Sequence, residues 1–161
     1  MSDIKKRIIT ILIDNEFGSL ARVVELFSGR GYNIDSLNVA PVSYDKKISR
    51  ITIATICDQK TIDLVRKLLE RLIPVYRTVE LTSQKFIERE LALVKIIDNN
   101  KDIPQKMLDK YQAKILNIKA KKLIIEIVNN SKEIDDFINE IQSITKIDSI
   151  SRTGTIANFD S

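Results

Sequence analysis

One order of hydrophobic patterns runs through the chain twice, and it restricts the fold more than any single motif. In the first half, Ile8-Ile9-Thr10-Ile11-Leu12-Ile13 is a nearly unbroken β-branched run ended by Asp14-Asn15. Such a run marks a central strand covered on both faces. A turn at Asn15-Glu16-Phe17-Gly18 leads into Leu20, Val23, Val24 and Phe27 at helical spacing, and Gly29 with Gly31 stops that helix. Residues 34–39 and 48–57 read as strands around the polar turn 43–47. Ile62, Val65, Leu68, Leu69 and Leu72 mark a second helix ended by Pro74, and residues 75–81 read as a fourth strand. The second half repeats the order. Residues 91–97 form a strand, Ile103, Met107, Leu108 and Tyr111 share a helical face, and strands 115–118 and 123–128 flank Lys119-Ala120-Lys121-Lys122. Ile134, Phe137, Ile138, Ile141 and Ile144 form an amphipathic helix before a last strand at 147–151.

Strand, helix, strand, strand, helix, strand, twice over, predicts an α+β protein of tandem ferredoxin-like βαββαβ domains. The boundary falls at Thr82-Ser83-Gln84-Lys85, giving domains 1–82 and 83–161. Domains this small bury only about 60% of their unfolded surface. Each sheet also has one face left over once its helices are placed, so self-association is expected.

Composition narrows the chemistry. The chain has no His, which removes the commonest general base and the commonest metal ligand together. Its one cysteine, Cys57, excludes an internal disulfide, a four-cysteine zinc site and a CxxC pair. Serine–histidine and cysteine–histidine nucleophile pairs are excluded as well. Lys+Arg is 26 and Asp+Glu 22, a net charge of +4 too mild to be a nucleic-acid footprint by itself. No apolar run approaches the roughly 18–20 residues that cross a bilayer. The first apolar stretch ends at Asp14 without a small-residue cleavage site, so it reads as a strand and not a signal peptide. These features predict no membrane and no nucleic-acid partner, and a cytoplasmic location.

A ferredoxin-like fold does not by itself decide function. RNA-recognition domains share the element order but need sheet aromatics for base stacking. Ile51-Thr52-Ile53-Ala54-Thr55-Ile56 has none, and neither does Leu123-Ile124-Ile125-Glu126-Ile127. Acyl-phosphate hydrolysis needs a Gly-rich phosphate cradle with an Arg, whereas Asn15-Glu16-Phe17-Gly18 offers one Gly beside an acid. Ligand sensing is the third possibility. Asp-Asn at a strand end, a Gly at the bend and an immediate helix start gather free N–H groups and a helix dipole, which favour a carboxylate. The plainer alternative is a tight turn with Ser19 as an ordinary helix cap.

The wider run is more specific. Asp14-Asn15-Glu16-Phe17-Gly18-Ser19-Leu20-Ala21-Arg22-Val23 resembles the opening of an ACT domain, the amino-acid-sensing version of this fold. Leu26-Phe27-Ser28-Gly29-Arg30-Gly31-Tyr32-Asn33-Ile34-Asp35-Ser36-Leu37, followed by Val39-Ala40-Pro41, resembles the small regulatory subunit of acetolactate (acetohydroxyacid) synthase. Ser49-Arg50-Ile51-Thr52-Ile53, the run from Glu88 to Ile96 and Ser151-Arg152-Thr153-Gly154 resemble the same family.

The resemblance implies a non-catalytic chain that activates a large subunit and confers feedback inhibition by a branched-chain amino acid, commonly valine. Thiamine diphosphate, Mg and FAD are then expected only on the large subunit, with no cofactor on this chain. It further implies a homodimer through the first, ACT domain, with the effector at the interface, and a second domain that contacts or signals to the large subunit. Carried over by matching positions, Asn15 and Asn33 would bind the effector's polar groups. Gly18, Ser19 and Leu20 would supply backbone contacts, and Ile34 would line the apolar part. Tyr32 and Leu37 are expected in the core, and Arg22 and Arg30 as solvated helix charges. Phe17 stands where the family has a small residue or Pro, and Asn38 where it has Thr. Other readings left open are a sensor for another enzyme and a tandem RNA-binding protein.

Overall fold

The computed structural model describes residues 3–97, 103–119 and 122–160. The first half gives β1 (Lys5–Asp14), α1 (Ser19–Ser28), β2 (Ser36–Pro41), β3 (Ile48–Cys57), α2 (Gln59–Leu69) and β4 (Val75–Glu80). The second gives β5 (Phe86–Ile97), α3 (Gln105–Tyr111), β6 (Lys114–Lys119), β7 (Lys122–Asn129), α4 (Ser131–Ile144) and β8 (Lys146–Arg152), followed by β9 (Ile156–Phe159). The sheet orders are β2-β3-β1-β4 and β6-β7-β5-β8, and the pairs are antiparallel. The fold is therefore tandem ferredoxin-like. The expected loop 98–102 and the turn residues 120–121 lie outside the described residues.

β1 is central, as its unbroken apolar run predicts. Ile9, Ile11 and Ile13 meet Ile51 and Ile53 of β3, Val23 and Phe27 of α1, and Ile62, Val65 and Leu69 of α2. The equivalent core of the second half gathers Ala92, Val94 and Ile96, Ile125 and Ile127, Met107, Leu108 and Tyr111, and Ile134, Phe137 and Ile141. Tyr111 and Phe137 meet edge to face at 5.4 Å. Among the described residues, two of the four helices are capped by side chains that the sequence supplies at their starts. Asp58 accepts from Thr61 N–H at 2.8 Å, and Asn130 from Glu133 N–H at 2.9 Å.

The compact units are not those expected from the 82/83 boundary. One comprises Met1–Ile87 with Thr155–Ser161, and the other Glu88–Gly154. The reason is β9, a strand too short to leave a periodic signal. It pairs with β5, and Asp160 N–H donates to the Lys85 carbonyl at 3.3 Å. Ala157 packs on Ile8, Ala54 and Leu81, with Val79, Phe86 and Phe159 around them. The helix-free face of the first sheet is thus partly covered by the chain's own C-terminal segment, which sequence reading had left open for another molecule.

Candidate functional site

The turn after β1 is built around Gly18. Its φ of 83° lies in the left-handed region, where a side chain is costly. A Cβ placed there meets nothing within 4 Å, so the glycine faces open space. Gly18, and not Ser19, is the N-cap residue of α1, and no side chain caps that helix. Ser19 instead is buried and its N–H donates to Glu16 C=O at 3.2 Å. Arg22 N–H closes the first helical bond on Gly18 C=O at 3.0 Å. Among the described residues, the Leu20 and Ala21 N–H groups have no backbone acceptor, so they and the positive end of the helix dipole face solvent. Leu20 is half exposed beside them.

Asn15 is locked to the β2–β3 hairpin. Its backbone N–H donates to Lys47 C=O at 2.7 Å and its side-chain Nδ2 to Lys46 C=O at 2.9 Å. With the amide nitrogen engaged, Oδ1 is the group left to accept from a ligand ammonium. Phe17 is fully exposed. It stands with Asn15 and Glu16 around an open surface depression.

Asn33 and Ile34 lie elsewhere. Asn33 precedes β2, is exposed, and donates from Nδ2 to Asp35 Oδ1 at 3.0 Å, while its carbonyl accepts from Thr55 Oγ1 at 2.6 Å. Ile34 is half-buried against the core of its unit, as are Tyr32 and Leu37. Asn15 is tied to Lys47 just before β3, whereas Asp35 N–H bonds Ala54 C=O near its other end. Seven residues of extended chain separate those anchors, roughly 23 Å at strand rise. The candidate residues therefore form two half-sites at opposite ends of one sheet, Asn15–Gly18–Ser19–Leu20 and Asn33–Ile34.

Tyr76, at the same turn, was not singled out from sequence. Tyr76 donates its hydroxyl to Asp14 Oδ1, and that bond raises the phenol's pKa above its ordinary value. Tyr76 is the extra residue of a β-bulge in β4, since Leu12 pairs Arg77 while Ile13 pairs Val75. Nothing in a β-rich run announces a bulge. Arg22, expected as a solvated charge, is exposed and also donates to Ile73 C=O at 2.8 Å, which fastens α1 to the loop before β4. Arg30 likewise turns back onto Leu26 C=O at 3.4 Å.

Comparison with known proteins finds likeness over nearly the whole chain. Residues 9–77 match the model of the AHAS small subunit-like ACT domain, and residues 89–158 that of the small subunit of acetolactate synthase. The acetolactate synthase small subunit of Buchnera aphidicola subsp. Baizongia pistaciae is 40% identical over 158 residues, covering 96% of this chain and 98% of the relative. The isozyme 3 small subunit of Escherichia coli is 35% identical over 153 residues, covering 94% and 93%. Among solved structures, the acetolactate synthase small subunit of Thermotoga maritima superposes with a TM-score of 0.83 at 29% identity, covering 96% of this chain and 97% of that one.

Proposed function

The chain belongs to the acetolactate synthase small-subunit family, and from that premise we propose that it activates a catalytic large subunit and makes it sensitive to a branched-chain amino acid, valine in the first instance. The observation that carries this reading is the open glycine-capped helix start, with Asn15 beside it. A free amino acid has a carboxylate for the Leu20 and Ala21 N–H groups, an ammonium for Asn15 Oδ1, and a short apolar side chain.

The separation of the two half-sites supports a homodimer through the first domain. A two-fold axis that sets sheets edge to edge brings the turn of one copy to the Asn33–Ile34 segment of the other, completing what one chain holds apart. Ile34 then supplies apolar lining and Asn33 Oδ1 a second acceptor. The second domain would contact or signal to the large subunit, which would carry thiamine diphosphate, Mg and FAD. The holoenzyme would work in the cytoplasm.

Co-expression with a candidate large subunit tests the proposal. Acetolactate formation should rise when this chain is present and fall when valine is added, and light scattering should give a dimer at tens of micromolar. Acetolactate made by the purified chain alone, or no change in the large subunit's activity, would overturn it.

A further inference from the structure

Away from that turn, on the helix-free face of the first sheet, lies a cavity of about 100 Å³ lined by Thr10, Leu12, Arg50 and Arg77 from the sheet and by Asn158 and Phe159 from the C-terminal strand. Register explains the two arginines. Leu12 of β1 pairs with Arg50 on β3 and with Arg77 on β4, so both cations flank one leucine on the same face. Their α-carbons are two strand spacings apart, roughly 9.6 Å, within reach of two side chains converging on a shared group. Among the described residues neither arginine has an acidic partner, and no Asp or Glu lines the cavity. Arg50 Nε is itself sealed from solvent without a hydrogen bond, so what Arg50 offers the cavity comes from its other atoms.

We infer that this cavity binds a short-chain monocarboxylate. A planar carboxylate presents two oxygens, one for each guanidinium, and charge-assisted bonds of this kind are the strong ones. Leu12 between the arginines and Phe159 from β9 give apolar surface for one or two carbons. A pocket of this size has room for a small anion. Because Asn158 and Phe159 belong to β9, an occupied cavity would also hold the C-terminal strand in place.

The test is amide and arginine Nε–H NMR on the full-length chain, titrated at constant ionic strength with propionate, propionamide and inorganic phosphate. Saturable shifts of Arg50 Nε–H and of the Thr10 and Leu12 amides are expected with propionate, with affinity at least about tenfold above the other two. Arg50→Gln should weaken propionate by a similar factor. Arg77→Gln, at an exposed position, serves where the first variant folds poorly and should also weaken it. Shifts linear in propionate, equal response to propionamide, or phosphate binding as tightly as propionate would each overturn the assignment. Binding unchanged in folded Arg77→Gln would do the same.

Discussion

The two halves of the chain solve one packing problem with opposite charges. In the first, Arg7 on the central strand is buried and meets Glu80 on β4 at 3.4 Å. At the matching register of the second, Glu90 is buried on β5 and meets Arg152 on β8 at 2.7 and 2.9 Å. Cation and anion have traded places. The helix above keeps an aspartate in both, Asp63 on α2 and Asp135 on α4, each five residues after its N-cap. In the second half Arg152 reaches Asp135 directly at 2.5 Å. In the first, two carboxylates face one another, and Gln59 stands between them. Its Nε2 donates to Asp63 and Glu80 at 3.2 and 3.1 Å, and its Oε1 accepts from Arg7 at 2.7 Å. Polar pairing at a sheet end is thus required by burial, while its direction is free. The first turns also differ: one half has Gly18 at a left-handed bend, and the other has no glycine in the matching 98–102 sequence.

Reversing the first pair would test that freedom most severely. Arg7→Glu or Glu80→Arg alone sets like charges together in a buried place and should cost roughly 3–5 kcal/mol of stability by denaturant titration. The double variant gives the first half the polarity of the second, with Asp63 available to an arginine at position 80. It should recover to within about 1 kcal/mol of the native chain. A double variant as unstable as the worse single one would show that the two arrangements are not interchangeable.

Gly18→Asp sharpens the contrast between the two first turns. Its Cβ has open space, and aspartate tolerates the left-handed region better than most residues. The chain should stay folded and still activate a large subunit. A carboxylate about 4 Å from the effector's own costs roughly 1–4 kcal/mol at effective dielectrics between about 80 and 20. Valine affinity should therefore fall about 5-fold to several hundred-fold, read from the inhibition curve. A folded, activating variant inhibited as before would remove the turn from the effector site.

The covering strand is a smaller asymmetry. Phe159 is half-buried over the first sheet, whereas Leu93 and Val128 on the helix-free side of the second sheet remain 36% and 44% exposed. Phe159→Ala should lower stability by about 1–2 kcal/mol. The loss should be read as faster amide exchange at Ile8 and Leu81 and not at Val94 or Ile125. Uniform loss across both units would mean the strand does not act on its own sheet.

How much of this was legible follows from the reach of each interaction. Cores such as Ile9, Ile11 and Ile13 write their period into contiguous residues, so element order and the tandem fold could be read directly. Gly18 was legible because a bend into a helix leaves few residue choices, and its φ of 83° is the reason. The Arg7–Glu80 pair spans 73 positions, β9 is four residues long, and Tyr76 owes its place to a bulge. None of these leaves a local pattern. The half-sites at Asn15 and Asn33 were chosen by resemblance, and only the sheet register shows how far apart they stand in one chain.

The bulges give the finest contrast, because they occupy the same register and answer to opposite ends of the pH scale. In β8 the extra residue is Asp148, as Lys95 pairs Ser149 while Ile96 pairs Ile147. Hydrogen bonds from Lys122 and then Lys95 hold its carboxyl below the ordinary range. A depressed folded pKa contributes stability that is complete above the unfolded value, near 3.9, and is lost as pH falls through the folded one. In β4 the extra residue is Tyr76, whose bond to Asp14 raises its pKa. Its contribution is complete below the unfolded value, near 10, and is lost as pH rises through the folded one. Asp148→Asn should therefore have a lower Tm than the native chain at neutral pH, with the gap closing below about pH 3.9. Tyr76→Phe should show a gap that closes only above about pH 10. Both residues are at the surface, so the gaps are small and salt-sensitive. Each variant is the other's control, since a general loss of stability would leave a gap at both ends. A gap for Asp148→Asn that persists undiminished at pH 2 would mean the carboxylate's charge contributes nothing there, and the likeness of the two bulges would be one of backbone alone.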